Sequence, residues 1–170
     1  MLRSSITAIA FAALIAVCAQ ISVPMVPVPM TLQTWAVLLA GLVLGARWGM
    51  ASVALYLLAA AVGLPVLSDG RSGIEALTGP TAGYLAAFPI VAGLAGAMSQ
   101  SQRFRPPLVM IASLTGLHAI VLALGAAWLA RSVGVEAAVS GGLLPFLPGA
   151  IVKSGAAWLA WRGIARLERA

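Results

Sequence analysis

The chain has 170 residues, of which 62% are hydrophobic and 8% charged, with a net charge of +6. A soluble domain carries about a quarter charged residues, so ten Lys and Arg with four Asp and Glu are too few to cover a water-facing surface, and the apolar content excludes a disordered chain. The composition specifies an integral membrane protein, with room for roughly six helices at about 20 residues per span.

The first apolar stretch covers about Ser4–Val23. Arg3 followed by an apolar run and small residues near Ala19 resembles a signal peptide, but the run Ile6–Ile21 suits a retained first helix. Lipid attachment at Cys18 needs a small residue before it, and Val17 stands there. Cys18 is the single cysteine, so no disulfide can form within the chain. Pro24, Pro27 and Pro29 then forbid a helix. A second stretch runs from about Thr31 to Ala46, Arg47 breaks it, and a third follows from about Trp48 to Leu64. The polar segment 65–80 holds Asp69, Arg71 and Glu75. A fourth stretch covers about Thr81–Gln100, and the loop 99–107 carries Arg103 and Arg105. A fifth covers about Leu108–Ala130, a polar linker follows with Arg131 and Glu136, and a sixth runs from about Leu147 to Leu167. No internal repeat and no domain boundary is visible, so residues 1–170 read as one transmembrane domain.

The arginines predict orientation. With the N-terminus inside, Arg3, Arg47, Arg103, Arg105, Arg162, Arg166 and Arg169 fall on the cytoplasmic side, against Arg71 and Arg131 outside. That asymmetry obeys the positive-inside rule. The fold class is therefore an all-α membrane protein of six helices, both ends cytoplasmic. Its three long connections, 24–30, 65–80 and 131–146, share the outer face, where an outward-facing pocket is expected, because long ordered loops usually serve binding.

Several residues at that face could hold a ligand. Lys153 lies about six residues into the sixth helix, roughly 9 Å below its start. An ammonium at that depth either snorkels to the interface or faces a polar cavity, and no acid lies within a helical turn of it. Arg71 either forms a solvated pair with Asp69 or closes over an anionic ligand, for which its planar fork is suited. Thr81 and Tyr84 open the fourth helix beside Gly79 and Gly83. Thr31, Gln33 and Trp35 open the second, with Trp35 alternatively an interfacial belt residue. His118, the single histidine, lies mid-span and reads as a neutral imidazole bonded across helices. In the first helix Ala8, Ala12 and Ala16 recur every four residues, a small-residue face for close helix contact. It serves internal packing, a partner subunit or self-association.

Other chemistry is missing. The basic residues stand singly or in pairs, which does not suit nucleic acid. No metal-ligating cluster, paired intramembrane carboxylate, activated nucleophile or Walker A loop is present in the sequence, so neither an enzyme nor a chain that hydrolyses ATP by itself is expected.

The ordered motifs Val28-Pro29-Met30-Thr31-Leu32-Gln33-Thr34, Gly63-Leu64-Pro65-Val66, Gly79-Pro80-Thr81-Ala82-Gly83-Tyr84 and Pro145-Phe146-Leu147-Pro148-Gly149, followed by Lys153, resemble the BioY family, the biotin-specific substrate-binding (S) components of energy-coupling factor transporters. The resemblance covers nearly the whole chain. It implies a six-helix fold with an outward pocket, high-affinity capture of biotin, and alanine contacts from the first helix to a transmembrane coupling subunit. Uptake across the cytoplasmic membrane is then driven by ATP hydrolysed in partner subunits, with no cofactor on this chain. One departure stands out. The family usually has an aspartate three residues before the lysine of the sixth helix, and Ala150 stands here. Capture of another small vitamin, and a ligand-free membrane scaffold, are the competing functions.

Overall fold

The computed structural model describes residues 2–104 and 106–167. Arg105, Arg169 and the side chain of Arg3, three of the arginines expected on the cytoplasmic side, lie outside the described residues. The chain is almost entirely helical. Its elements are α1 (Leu2–Gln20), β1 (Ser22–Val23), β2 (Met30–Thr31), α2 (Gln33–Ala61), α3 (Gly73–Thr78), α4 (Ala82–Gln100), α5 (Pro107–Val133), α6 (Val135–Gly142) and α7 (Leu147–Leu167), with short 3-10 turns at Ser68–Gly70, Gln102–Phe104 and Leu144–Phe146. Four helical stretches are long and apolar enough to cross a membrane, Gln33–Ala61, Ala82–Gln100, Pro107–Val133 and Val135–Leu167, together with a shorter apolar helix over Ser4–Gln20.

The element α2 merges two helical arms, 33–44 and 46–61, across a reversal at Gly45 (φ 77°, ψ 174°). Gly41 and Gly49 would be about 12 Å apart along a straight helix, yet a Cβ on Gly49 would lie 2.7 Å from the Gly41 Cα. Likewise Gln33 and Tyr56, 23 positions apart, share a hydrogen bond of 2.6 Å. The arms therefore run antiparallel, as the sequence expects for its second and third stretches. The break falls at Gly45 rather than Arg47, because a positive φ is open to glycine without a Cβ clash.

Packing between apolar helices in a membrane gains little from the hydrophobic effect and relies on close van der Waals contact. Small residues supply it here. A Cβ on Gly41 would collide with the Ala92 carbonyl of α4, one on Gly96 with the backbone of Ala46, and one on Gly83 with the Leu124 carbonyl of α5. The core between these helices is built from buried Val37, Leu38, Tyr56, Phe88, Val91, Met110 and Leu114.

Three segments differ from the sequence expectation. The polar linker after α5 contains a helix, α6, set off by Gly134 (φ 84°). Its two charges, Arg131 and Glu136, suggest a solvated loop. Ala138 and Gly142, one turn apart, nevertheless form a buried stripe, and Glu136 in the first turn complements the helix dipole. The 65–80 loop likewise holds the short helix α3. At the proline-rich segment, a two-residue antiparallel ladder pairs Ser22 with Thr31 and Val23 with Met30, so α1 and α2 each lose the end residues that apolarity alone assigns to them.

Candidate functional site

The three long connections meet at one end of the bundle. Gln20 at the end of α1 donates from Nε2 to the Leu67 carbonyl (2.9 Å) and accepts at Oε1 from the Gly70 amide (3.2 Å), which ties down the 65–80 segment. A Cβ on Gly141 in α6 would meet the Pro27 ring, so α6 lies against the proline-rich loop. Trp128 near the end of α5 donates to the Gly79 carbonyl (3.0 Å). At the other end, the Gly45 reversal lies against Gln100, so the Arg47 and Arg103 connections are neighbours.

Beneath the convergent loops is a cavity of about 690 Å³, its open mouth included. Six of the residues singled out in the sequence line it: Thr31, Gln33, Arg71, Thr81, Tyr84 and Lys153. Its apolar walls come from Leu85, Phe88, Val121, Leu122 and Phe146. Ala150, in place of the family's aspartate, contributes only a buried methyl.

Lys153 is tied to two neighbouring elements. Its Nζ donates to the Thr31 carbonyl (3.0 Å) and to Thr34 Oγ1 (2.9 Å), bridging α7 to the start of α2. Both acceptors are neutral, and an ammonium has three N–H groups, so one remains for a ligand. Arg71 turns to Ser68, from Nε to its carbonyl (3.2 Å) and from Nη2 to its Oγ (3.0 Å). The guanidinium is thereby held at the rim of the cavity by a neutral residue rather than by Asp69.

Tyr84 presents its ring, not its hydroxyl. Oη donates to the Gly142 carbonyl (2.7 Å), and the ring lies on Gly125, where any Cβ would strike it. Gln33 is buried and donates from Nε2 to Tyr56 Oη (2.6 Å), which in turn donates to the Val66 carbonyl (3.3 Å). This relay joins the two arms of α2 to the loop above them, and Gln33 Oε1 accepts from Thr31 Oγ1 at 3.4 Å.

Trp35 is the ligand candidate that the structure does not bring to the cavity. It is partly buried against the core instead, because two helical positions beyond Gln33 a side chain points roughly to the opposite face. The α1 stripe also turns inward. Ala8 is completely buried within this chain, and Ala12 and Ala16 pack against its core, while Ile6, Ile9 and Val17 face outward.

Residues passed over in the sequence also line the site. Thr34 anchors Lys153, and Ser68 anchors Arg71. Phe88 sits one turn below Tyr84 on the same face, a spacing readable in the sequence. His118, read in the sequence only as a neutral imidazole bonded across helices, lines the cavity wall as well. The imidazole is indeed bonded across helices, to Ser154 Oγ at 3.0 Å. Among the described residues no cluster of His, Cys, Asp and Glu could hold a metal ion.

Apolar helices around a cavity with apolar walls and a few polar and cationic side chains at one end of the bundle define a multi-pass membrane protein built to hold a small molecule. The model of the BioY family matches residues 1–170, and the chain belongs to that family. It is 45% identical over 147 residues, 86% of each chain, to a probable biotin transporter BioY of Pyrococcus horikoshii. It is 39% identical, again over 86% of each, to a biotin transporter BioY of Thermotoga maritima. A crystal structure of the S-component for biotin from an ECF-type ABC transporter superposes with a TM-score of 0.82 at 25% identity, covering 97% of this chain and 92% of that one.

Proposed function

We propose that the cavity captures biotin with high affinity and that the chain is the substrate-binding subunit of an ATP-driven uptake transporter. The observation that carries this reading is one cavity with aromatic walls and two cations, Lys153 and Arg71, whose protein partners are neutral oxygens. Biotin is chemically complementary to it. Its fused rings suit the wall of Tyr84, Phe88 and Phe146. Its ureido oxygen suits the remaining N–H of Lys153, deep in the cavity, and its carboxylate suits Arg71 at the rim. Thr31, Gln33 and Thr81 supply further polar contacts. Both chain ends lie in the cytoplasm and the loop-covered end faces outward, in the cytoplasmic membrane, as the arginine asymmetry requires. A transmembrane coupling subunit and ATPase subunits supply the energy, since the chain carries no nucleotide-binding loop.

Isothermal titration of the detergent-purified protein with biotin tests the reading. Tight binding is expected, and Lys153→Ala is expected to weaken it about ten- to a hundredfold, because a hydrogen bond to a charged group contributes roughly 1.5–3 kcal/mol. The empty variant should unfold at nearly the wild-type temperature. Loss of the bonds to Thr31 and Thr34 is offset by removal of a charge from the membrane. Absence of biotin binding by the wild type, or tighter binding of another vitamin, would overturn it.

A further inference from the structure

His118 is 3% exposed and lines the cavity. Its Nδ1 lies 3.2 Å from the Leu114 carbonyl and 3.0 Å from Ser154 Oγ. Both neighbours act as acceptors. A carbonyl has no proton to give, and the single Ser154 hydroxyl proton is donated to the Ala150 carbonyl at 2.8 Å. The proton between them must therefore come from the ring, so the neutral imidazole carries it on Nδ1. Nε2 is then a bare lone pair. It is buried and has no hydrogen-bond partner among the described residues, a state that native proteins rarely tolerate without a function for the group.

We infer that His118 Nε2 is an acceptor for an N–H group of the ligand and sets the chain's preference for a cyclic urea. The inference rests on the biotin reading and adds a residue to it. A cyclic urea presents a carbonyl flanked by two N–H groups in one plane. Lys153 offers a donor to the carbonyl. Ser154, the next residue in α7, holds the imidazole, and His118 and Lys153 line the same cavity, so one wall brings together an acceptor and a donor of the kind a urea edge requires. Ala150, on the same helix face, has no polar side-chain atom to compete for the N–H. Ser154 acts only through the ring, by holding the tautomer that leaves the Nε2 lone pair unpaired. A ligand with a carbonyl but no adjacent N–H would leave Nε2 unsatisfied, which is how sites built on hydrogen bonds reject analogues.

His118 is the only histidine in the chain, so protein labelled with 15N-histidine and purified without a histidine tag reports on it without assignment. The expected spectrum at neutral pH shows the Nδ1–H tautomer, with a pyridine-type Nε2 signal that moves upfield when biotin saturates the site. An Nε2–H tautomer, or an Nε2 signal unmoved by bound biotin, overturns the inference. Titrations then compare biotin with biotins methylated at one or the other ureido nitrogen. In His118→Ala, biotin affinity should fall about three- to tenfold, the range of a neutral hydrogen bond, and the preference for biotin over one methylated form should shrink by a similar factor. An undiminished preference against both methylated forms overturns it. Failure of wild-type protein to bind biotin at all sinks the functional reading first, and this inference with it. Binding with an indifferent His118 sinks only the inference.

Discussion

The two ends of the bundle are built by different means. At the end of the Gly45 reversal, α2 and α4 approach through glycine and alanine, and the contacts are backbone against backbone. At the cavity end Gly83 also lies close against the Leu124 carbonyl, but there polar side chains in addition reach from one element to the backbone of another: Gln20 to Leu67, Tyr84 to Gly142, Trp128 to Gly79 and Lys153 to Thr31. Close packing makes the first end rigid because no side-chain motion relieves it. The second end is held by bonds that can be exchanged one at a time, with a cavity beneath them. The difference teaches that stability and ligand capture are assigned to separate halves, and substitutions should separate them.

The largest effect is expected at the packed end. A Cβ on Gly96 would collide with the backbone of Ala46 and Gly45, and backbone has no rotamer by which to yield. Gly96→Val should lower stability by about 3 kcal/mol, the upper part of the range for overpacking. Thermal unfolding in detergent measures this. The fraction that remains folded should bind biotin with wild-type affinity. A weakened affinity in that fraction would show that the two halves are coupled.

A smaller effect is expected along α1, where the structure decides the meaning of a sequence pattern. The stripe Ala8, Ala12 and Ala16 suggests either internal packing or a partner face, and Ala8 is completely buried inside the chain, while Ala13 is exposed. Ala8→Leu should therefore destabilise the isolated subunit by about 1–2 kcal/mol, and Ala13→Leu should leave its stability unchanged. Equal unfolding temperatures for the two variants would return Ala8 to the lipid or partner side.

The helices were legible because apolar runs separated by Arg, Pro and Gly are an unambiguous signal in a membrane chain. The shared face of the three long loops was legible from the arginines alone. What escaped was local. The helix α6 was hidden by Arg131 and Glu136, whose charges outweigh a buried stripe of only two small residues, Ala138 and Gly142. The site residues Lys153, Arg71 and Tyr84 stood out because a charge or phenol in an apolar context needs a reason. Thr34 and Ser68 did not, since a hydroxyl in a membrane helix or loop is satisfied by many neighbours, and only the three-dimensional structure shows which cation each one holds. Trp35 was misplaced for a related reason. Its proximity to Gln33 in sequence suggested proximity in space, and helical periodicity puts the two on opposite faces.

The smallest effect should come from the cation at the rim, and it sharpens the contrast within the cavity end itself. Lys153 is fixed from a helix, with one acceptor in β2 and the other in the first turn of α2. Arg71 is fixed from the loop that contains it, through Ser68 three positions away. A charge held by its own loop moves with that loop and stays closer to solvent, so its attraction for a carboxylate is screened. Arg71→Ala should weaken biotin only about three- to tenfold, and the ratio to wild type should shrink as salt is raised. Arg71→Lys retains the charge but loses the planar fork that engages Ser68 with two nitrogens, so it should fall between alanine and wild type. Titrations of the three proteins at low and high salt decide the matter. A loss as large as that of Lys153→Ala, and indifferent to salt, would mean that the loop closes over the ligand and removes Arg71 from water. The rim would then belong to the fixed part of the site, and the division between helix-held and loop-held charge would fail.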